Sequence, residues 1–370
     1  MMNRLCFISR NYRGTSSAGN KAKTDYERIL RDMGATNLGL ETTFSTSQVV
    51  SFVRNFLGIV HMTSKVQKGD IILLQYPVKK YFSMICRIAH HRGAKTIALI
   101  HDLGCMRRKK LTEQEEINRL MHADGVIATN AAMMQWLEEK GYTKTLDFLG
   151  LHDYLSNSVP QSTASHSPLK VVYAGTLAMR KNAFLLEMAK QVGNYELVIY
   201  GKHKGLPNLQ SRCHVKVNPF LSADTFIREV EGDFGLVWDG DSLQTCSGHF
   251  GEYLRWNTPH KVSFYIRAGL PIIVWRQSAI APIVQQEGIG LCIDSIEELN
   301  DLLPSITPEQ LSEMRQRVTM VSSRMAHGCY LKEAVGRILQ SFNFLNKNSA
   351  VCSMANTYWR KGAKASSLCV

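Results

Sequence analysis

The chain has 370 residues, 45% of them hydrophobic and 20% charged, with a formal net charge of +13. At roughly 100–200 residues per domain, this length implies two or three domains that fold on their own cores, and the composition excludes disordered, collagen-like and low-complexity classes. The longest apolar runs, such as Ile71–Leu74 and Thr96–Ile100, fall far short of the ~20 residues of a membrane span, and the apolar stretch of MMNRLCFISRNYRG is too short for a signal peptide, so a soluble intracellular protein is expected.

Along the first half, Arg4–Ser9, Asp70–Tyr76, Ala94–His101 and Gly125–Ala128 are short bounded apolar runs that read as buried strands. Helical patterns lie between them near Lys21–Met33, Val50–Met62, Tyr81–His91, Thr112–His122 and Asn130–Glu139. Such alternation implies right-handed crossovers and a parallel sheet. A Ser- and Pro-rich stretch, SNSVPQSTASHSP, makes residues 156–168 a linker after an N-terminal domain of residues 1–155.

The alternation then restarts in residues 169–346. Strands are expected at Lys170–Tyr173, Glu196–Tyr200, His214–Val217, Phe234–Trp238 and Pro271–Trp275, and helices at Asn182–Ala189, Ala223–Val230 and His260–Ala268. A last helix near Tyr330–Asn346, with apolar Leu331, Val335, Ile338, Leu339 and Phe342, is expected to pack on its own domain, a second copy of the chain being the other reading. Residues 347–370 have weak periodicity and read as a loose tail. The expected architecture is α/β, with two doubly wound parallel-sheet domains facing across a cleft.

The charge is unevenly spread. Residues 1–110 hold 19 of the 44 Lys and Arg but only six of the 31 Asp and Glu, so the whole excess of +13 lies in the first third, densest at Arg107-Arg108-Lys109-Lys110. A basic face draws anionic partners such as lipid headgroups, nucleic acid or a phosphorylated substrate, or it is a solvated surface with no partner. Nine cysteines without a CxxC pair exclude zinc-ribbon and thiol-redox motifs and read as mostly buried free thiols.

In open parallel sheets the ligand crevice lies at the carboxyl ends of the strands. Tyr173-Ala174-Gly175-Thr176-Leu177, followed by Arg180-Lys181, is a strand, a glycine and a basic turn, where backbone amides can approach a phosphate. Tyr200-Gly201-Lys202 repeats the pattern, and a plain turn explains it equally well. Neither GxGxxG nor GxxxxGKS is present. Asp239 ends a strand in a glycine turn, where a carboxylate can bind a hydroxyl-rich ligand. Pro259 suits the first turn of a helix, so His260 and Lys261 would stand beside its N-terminal amides, a metal-free diphosphate site, with Asn257 a cap in the plainer reading. Asp239-Gly240-Asp241 also matches the D-x-D of metal–diphosphate sites, a tripeptide frequent by chance.

The stretch FGLVWDGDSLQTCSGHFGEYLRWNTPHKVSFYIRAGLPIIVW closely resembles bacterial sugar transferases of the β-1,6-galactofuranosyltransferase and glucosyltransferase 3-like group, specifically over about Phe234–Leu299. SAGNKAKTD, GDIILLQYP, LIHD and YAGTL extend the likeness more weakly along the chain. The resemblance implies a GT-B fold, an N-terminal acceptor domain, a C-terminal nucleotide-sugar domain, a UDP-sugar donor and no divalent metal or other cofactor. It implies that Gly175, Arg180, Lys181, Tyr200, Gly201, Asn257, His260 and Lys261 line the donor pocket, with Asp239 beside them. Lys261 is the residue expected on the diphosphate, because a leaving UDP gathers negative charge.

An inverting transfer needs a general base, and Asp102 or His101, at the end of the strand Ala94–Ile100, could take the proton of an acceptor hydroxyl. Asp102 as a cap and His101 as a supporting residue are the plainer alternatives. The loop with Gly19, Asn20 and Lys21 would touch acceptor or donor phosphate. The expected partners are a glycan or polyprenyl-diphosphate-linked acceptor of bacterial surface polysaccharide (O-antigen or capsule) synthesis and, through the basic domain, the anionic inner face of the cytoplasmic membrane. A retaining GT-B transferase and a non-catalytic basic α/β binding protein are the alternatives. Nucleic acid is not an expected partner, since only Tyr76, Tyr81 and Phe82 near Lys79-Lys80 interleave aromatic with basic residues.

Overall fold

The computed structural model describes residues 4–12, 18–78, 81–107, 109–161, 164–207, 209 and 213–342. The tail 347–370, and with it Ser17, Lys79, Lys80 and Arg108, lies outside the described residues. The first half contains β1 (Leu5–Phe7), α1 (Ala18–Asp32), β2 (Thr36–Asn37), α2 (Gln48–Lys65), β3 (Ile71–Tyr76), α3 (Phe82–His91), β4 (Lys95–Ile100), α4 (Gly104–Arg107), α5 (Glu113–Leu120), β5 (Gly125–Ala128), α6 (Ala131–Glu139) and β6 (Thr145–Phe148). Its strands form one parallel sheet in the order β2-β1-β3-β4-β5-β6.

The second half contains β7 (Lys170–Leu177), α7 (Met179–Asn182), α8 (Phe184–Gln191), β8 (Glu196–His203), β9 (Val215–Asn218), α9 (Ala223–Glu229), β10 (Phe234–Val237), α10 (Gly248–Glu252), α11 (His260–Arg267), β11 (Ile272–Trp275), α12 (Ala281–Glu287), β12 (Gly290–Ile293), α13 (Leu299–Leu302), α14 (Pro308–Ala326) and α15 (Cys329–Ser341). A second parallel sheet runs β12-β11-β10-β7-β8-β9. Strands β3, β5, β10 and β11 are buried along their whole length, because helices cover both faces of each sheet.

Local chemistry sets the helix boundaries. Ser47 caps α2 through the Val50 amide, Thr112 and Glu115 form a reciprocal capping box on α5, and Thr307, Pro308 and Gln310 open α14 the same way. Gly288 closes α12 in the left-handed conformation.

The last helix corrects the expectation that it packs on its own domain. Leu331, Ala334, Val335, Ile338 and Leu339 of α15 join the core formed by Phe7, Tyr26, Ile29, Ile71, Leu73, Ile97 and Leu99 on the N-terminal sheet. Two carboxylates fix the crossing. Asp153 accepts the Tyr330 and Leu331 amides at the start of α15, and Asp147 on β6 is held by the Arg337 guanidinium. Between α14 and α15 the chain therefore returns to its first sheet. Cys6, Cys86, Cys105 and Cys246 are buried free thiols, as expected, whereas Cys213 is exposed. Among the described residues, no helix is long and apolar enough to cross a membrane.

Candidate active site

In the C-terminal sheet, the strand order reverses between β7 and β10, and their carboxyl ends therefore open a crevice. Gly175 lies on the β7 side, Asp239 comes two residues after the end of β10, and Lys261 stands in the first turn of α11. A Cβ on Gly201 would fall 2.2 Å from the Gly175 carbonyl oxygen, so β7 and β8 approach this closely only with glycine there. A Cβ on Gly175 would project to 3.8 Å from Lys261 Nζ; glycine leaves that space open. Asp239 is buried and pairs with Lys181 at 3.1 Å.

Lys261 Nζ lies 3.7 Å from the centre of the Tyr173 ring and has no hydrogen bond or ion pair among the described residues. Burial, aided by the charge of Lys181 and opposed by Asp239, pulls its pKa down to about 7. Two further polar atoms at this helix start, Asn257 Oδ1 and His260 Nε2, are buried without a hydrogen-bond partner among the described residues. A partly desolvated ammonium beside unpaired polar atoms and helix amides is an arrangement that an anionic, hydroxyl-rich ligand would complete.

The facing wall comes from the N-terminal domain. His101, directly after β4, stacks on Tyr26 at 5.4 Å and lies parallel to His152 at 6.3 Å; His152 in turn reaches His260 at 5.6 Å. The imidazoles thus form a row from the carboxyl end of one sheet to the N-terminus of α11 in the other domain. The amide of Gln75 donates to the Lys23 carbonyl, leaving its oxygen to accept from His101 Nε2 at 2.8 Å. That bond fixes His101 with its proton on Nε2 and its lone pair on Nδ1. Burial and the nearby cationic side chains hold His101 well below the ordinary histidine range, and burial holds His152 at about 4, so both are neutral at pH 7. The Tyr26 hydroxyl and His152 Nδ1 share a hydrogen bond at 2.6 Å, and Ser263 donates to the His152 carbonyl at 2.7 Å.

Several residues singled out by sequence thus converge. Gly175, Lys181, Asp239 and Lys261 form one cluster, and His101 and His260 belong to the imidazole row. Gly201 supports the cluster through its packing on Gly175. Arg180 lies 5.1 Å from the Phe250 ring at the edge of this region. Tyr200 is elsewhere: it is buried in the C-terminal core, edge-on to Phe226 at 5.3 Å. Asp102 is paired with Arg107, so its carboxylate already carries a cation. Lys21 is bound by Asp25 and the Leu155 carbonyl and lies 4.6 Å from the Tyr154 ring, on the cleft side of α1. The Asn20 carbonyl accepts from Thr24 in the same helix turn, and Gly19 is exposed. Asp239 and Asp241 diverge, Asp241 bonding Ser247, and no group of three or more His, Cys, Asp or Glu among the described residues could hold a metal ion.

Sequence reasoning missed Tyr26, Gln75 and His152. A signal for His152 was present: Leu151-His152-Asp153 repeats the pattern of Ile100-His101-Asp102, but it follows β6, a strand too short and mixed to register as one.

Comparison with known proteins places these observations in a family. The family model described as glucosyltransferase 3-like, N-terminal domain, matches residues 5–150, and its C-terminal counterpart matches residues 171–338. The β-1,6-galactofuranosyltransferase WbbI of Escherichia coli (strain K12) is 26% identical over 328 residues, covering 87% of this chain and 94% of WbbI. Glucosyltransferase 3 of Streptococcus gordonii is 23% identical over 327 residues, covering 85% of this chain and 92% of that protein. Among solved structures, the apo form of the lipopolysaccharide outer core galactosyltransferase WaaB superposes with a TM-score of 0.58 at 12% identity, covering 90% of this chain and 99% of that one.

Proposed function

This chain belongs to the glucosyltransferase 3-like family of GT-B glycosyltransferases, and on that premise we propose that it moves a hexosyl group, of the galactofuranose or glucose type, from a UDP-sugar to a hydroxyl of a lipid-linked glycan. In this reading the acceptor oxygen attacks the anomeric carbon as the bond to UDP breaks. The diphosphate leaves with added negative charge, and Lys261, Lys181 and the first amides of α11 stabilise it without a metal. The observation that carries the reading is Lys261, an ammonium held partly buried with no anion of the protein bonded to it, at the carboxyl end of the C-terminal sheet.

The acceptor proton goes to His101 or Asp102. The geometry favours His101, whose Nδ1 lone pair is left free by the bond to Gln75, whereas Asp102 is neutralised by Arg107. A transfer assisted by such a base inverts the anomeric centre, in keeping with a relative named for a β-linked product. The setting that goes with this reading is bacterial surface polysaccharide synthesis at the inner face of the cytoplasmic membrane, where a lipid-linked acceptor would be presented.

Calorimetric titration with UDP, GDP, TDP and ADP, each with and without EDTA, tests this. The expected result is that UDP alone binds, that EDTA leaves its affinity unchanged, and that Lys261→Ala weakens it by roughly 10–100-fold, the range of a lost charge-assisted hydrogen bond. Absence of nucleotide binding would sink the transferase reading. A requirement for a divalent ion would make Asp239 and Asp241 metal ligands and end the metal-free mechanism.

A further inference from the structure

Helix α2 has two apolar faces, and among the described residues one is buried and the other is largely exposed. Gly58, Ile59 and Met62 are buried on the N-terminal sheet. On the opposite side Val49, Phe52, Val53, Phe56, Leu57 and Val60 recur at the 3-4 spacing of a single helical stripe and are 44–71% exposed. The outer face of a helix covering a sheet is normally polar, and a continuous stripe of this kind marks a contact with something outside the chain.

The surroundings of the stripe say what it fits. Residues 42–101 hold eight Lys and Arg against one acidic residue, Asp70, and that carboxylate is held by Arg4. A shallow groove beside α2, where α3 packs, is lined in part by Arg87, His91 and Arg92. An apolar helix face flanked by more cations than acids, with exposed Glu41 beside it where its carbonyl accepts from Arg54, is complementary to the interface of an anionic bilayer: side chains enter the acyl boundary while Arg and Lys meet phosphates. The orientation also suits this. Because α2 follows β2, its N-terminus lies at the carboxyl edge of the sheet, the side of the molecule on which the cleft opens, and exposed Phe44 extends the stripe there.

We propose that the outer face of α2 is the element by which this protein docks on an anionic phospholipid bilayer, with Phe52 and Phe56 at its centre. The proposal rests on the lipid-linked acceptor of the preceding reading for its purpose, but it is tested separately from it.

The test is co-sedimentation of the full chain with vesicles of phosphatidylcholine alone or of about 3:1 phosphatidylcholine to phosphatidylglycerol, at ~0.1 M salt, with UDP titration of the same samples. The chain is expected to partition onto the anionic vesicles at least about tenfold more strongly than onto neutral ones. Phe52→Asp/Phe56→Asp, and independently the milder Val53→Ser/Leu57→Ser, should reduce that partition by roughly tenfold while leaving UDP affinity and Tm unchanged. No binding to anionic vesicles by a chain that still binds UDP would overturn the docking surface and leave the transferase standing. Vesicle binding indifferent to both double variants would assign it to the basic surface alone and overturn the role of α2. A wild-type dimer that either variant converts to monomer would show that a second copy covers the stripe, which also overturns the proposal.

Discussion

Lys261 stands in the first turn of α11 over the Tyr173 ring, and its environment gives it a pH signature. Its ordinary pKa is near 10.4, and burial lowers it to about 7 in the empty site. A bound diphosphate favours the charged ammonium and raises that pKa again. The protonated form is therefore the one that binds: affinity is full below pH 7 and falls by up to about tenfold per unit as pH climbs from 7 toward the bound-state pKa. At pH 8 the terminal phosphate, with a second pKa near 6, is already ionised, so proton uptake on binding reports the lysine. Calorimetry in two buffers of different ionisation enthalpy should find close to one proton taken up per UDP at pH 8, and none in Lys261→Arg, whose guanidinium is charged throughout. Wild-type binding without uptake would mean that the ammonium does not meet the diphosphate. Lys261, Gly175 and Asp239 were legible because each follows a strand or opens a helix. Gln75 and Tyr26 were not, because a glutamine inside a buried strand and a tyrosine inside an amphipathic helix carry no local mark of what they face across a cleft.

At the level of elements, the long buried strands and amphipathic helices were readable from periodicity, and β3, β4 and β5 were found within a residue or two. The edge strands β2, β6 and β12 were not: Thr36–Asn37 is two residues long, and Thr145–Phe148 mixes polar and apolar side chains, as partly exposed strands do. Helix α15 shows the deeper limit. Its stripe of Leu331, Val335, Ile338 and Leu339 announces a buried face, but no periodicity says which sheet it covers; that depends on Asp153 catching the start of the helix and on Arg337 reaching Asp147. Ile338 is wholly buried, and its Cδ1 lies 2.9 Å from where a Cβ on Gly125 would stand, so it fills a space that glycine leaves on β5. Ile338→Ala should lower stability by about 2–5 kcal/mol through the lost burial and the cavity left behind. UDP affinity of the folded protein should not change, because the helix lies on the sheet opposite the donor cluster. Urea unfolding and UDP titration of one preparation check both halves of this expectation.

For the molecule as a whole, α15 changes what a domain means here. A chain that simply passed once from one sheet to the other could unfold its halves independently. In this chain the final helix returns to the first sheet, and the two halves are further joined by hydrogen bonds from Asn130 to Thr258, from the Leu103 amide to the Tyr253 hydroxyl and from Ser263 to the His152 carbonyl. Removing the second half therefore also uncovers the face of the first sheet that Leu331, Val335 and Ile338 close. Thermal unfolding should accordingly be a single transition. Saturation with UDP at about 100 times its Kd should stabilise the native state by about 2.7 kcal/mol. Although the nucleotide contacts the C-terminal sheet in the proposed site, that stabilisation should be felt equally in the N-terminal one. Hydrogen exchange can follow the amides of β3 and β4, whose slowest members exchange through global opening, alongside those of β10 and β11. Protection rising by the same factor in both sheets is the expected result. A gain confined to β10 and β11 would mean that the interdomain bonds and α15 are too weak to couple the halves, and that the cleft opens without either sheet sensing the ligand on the other.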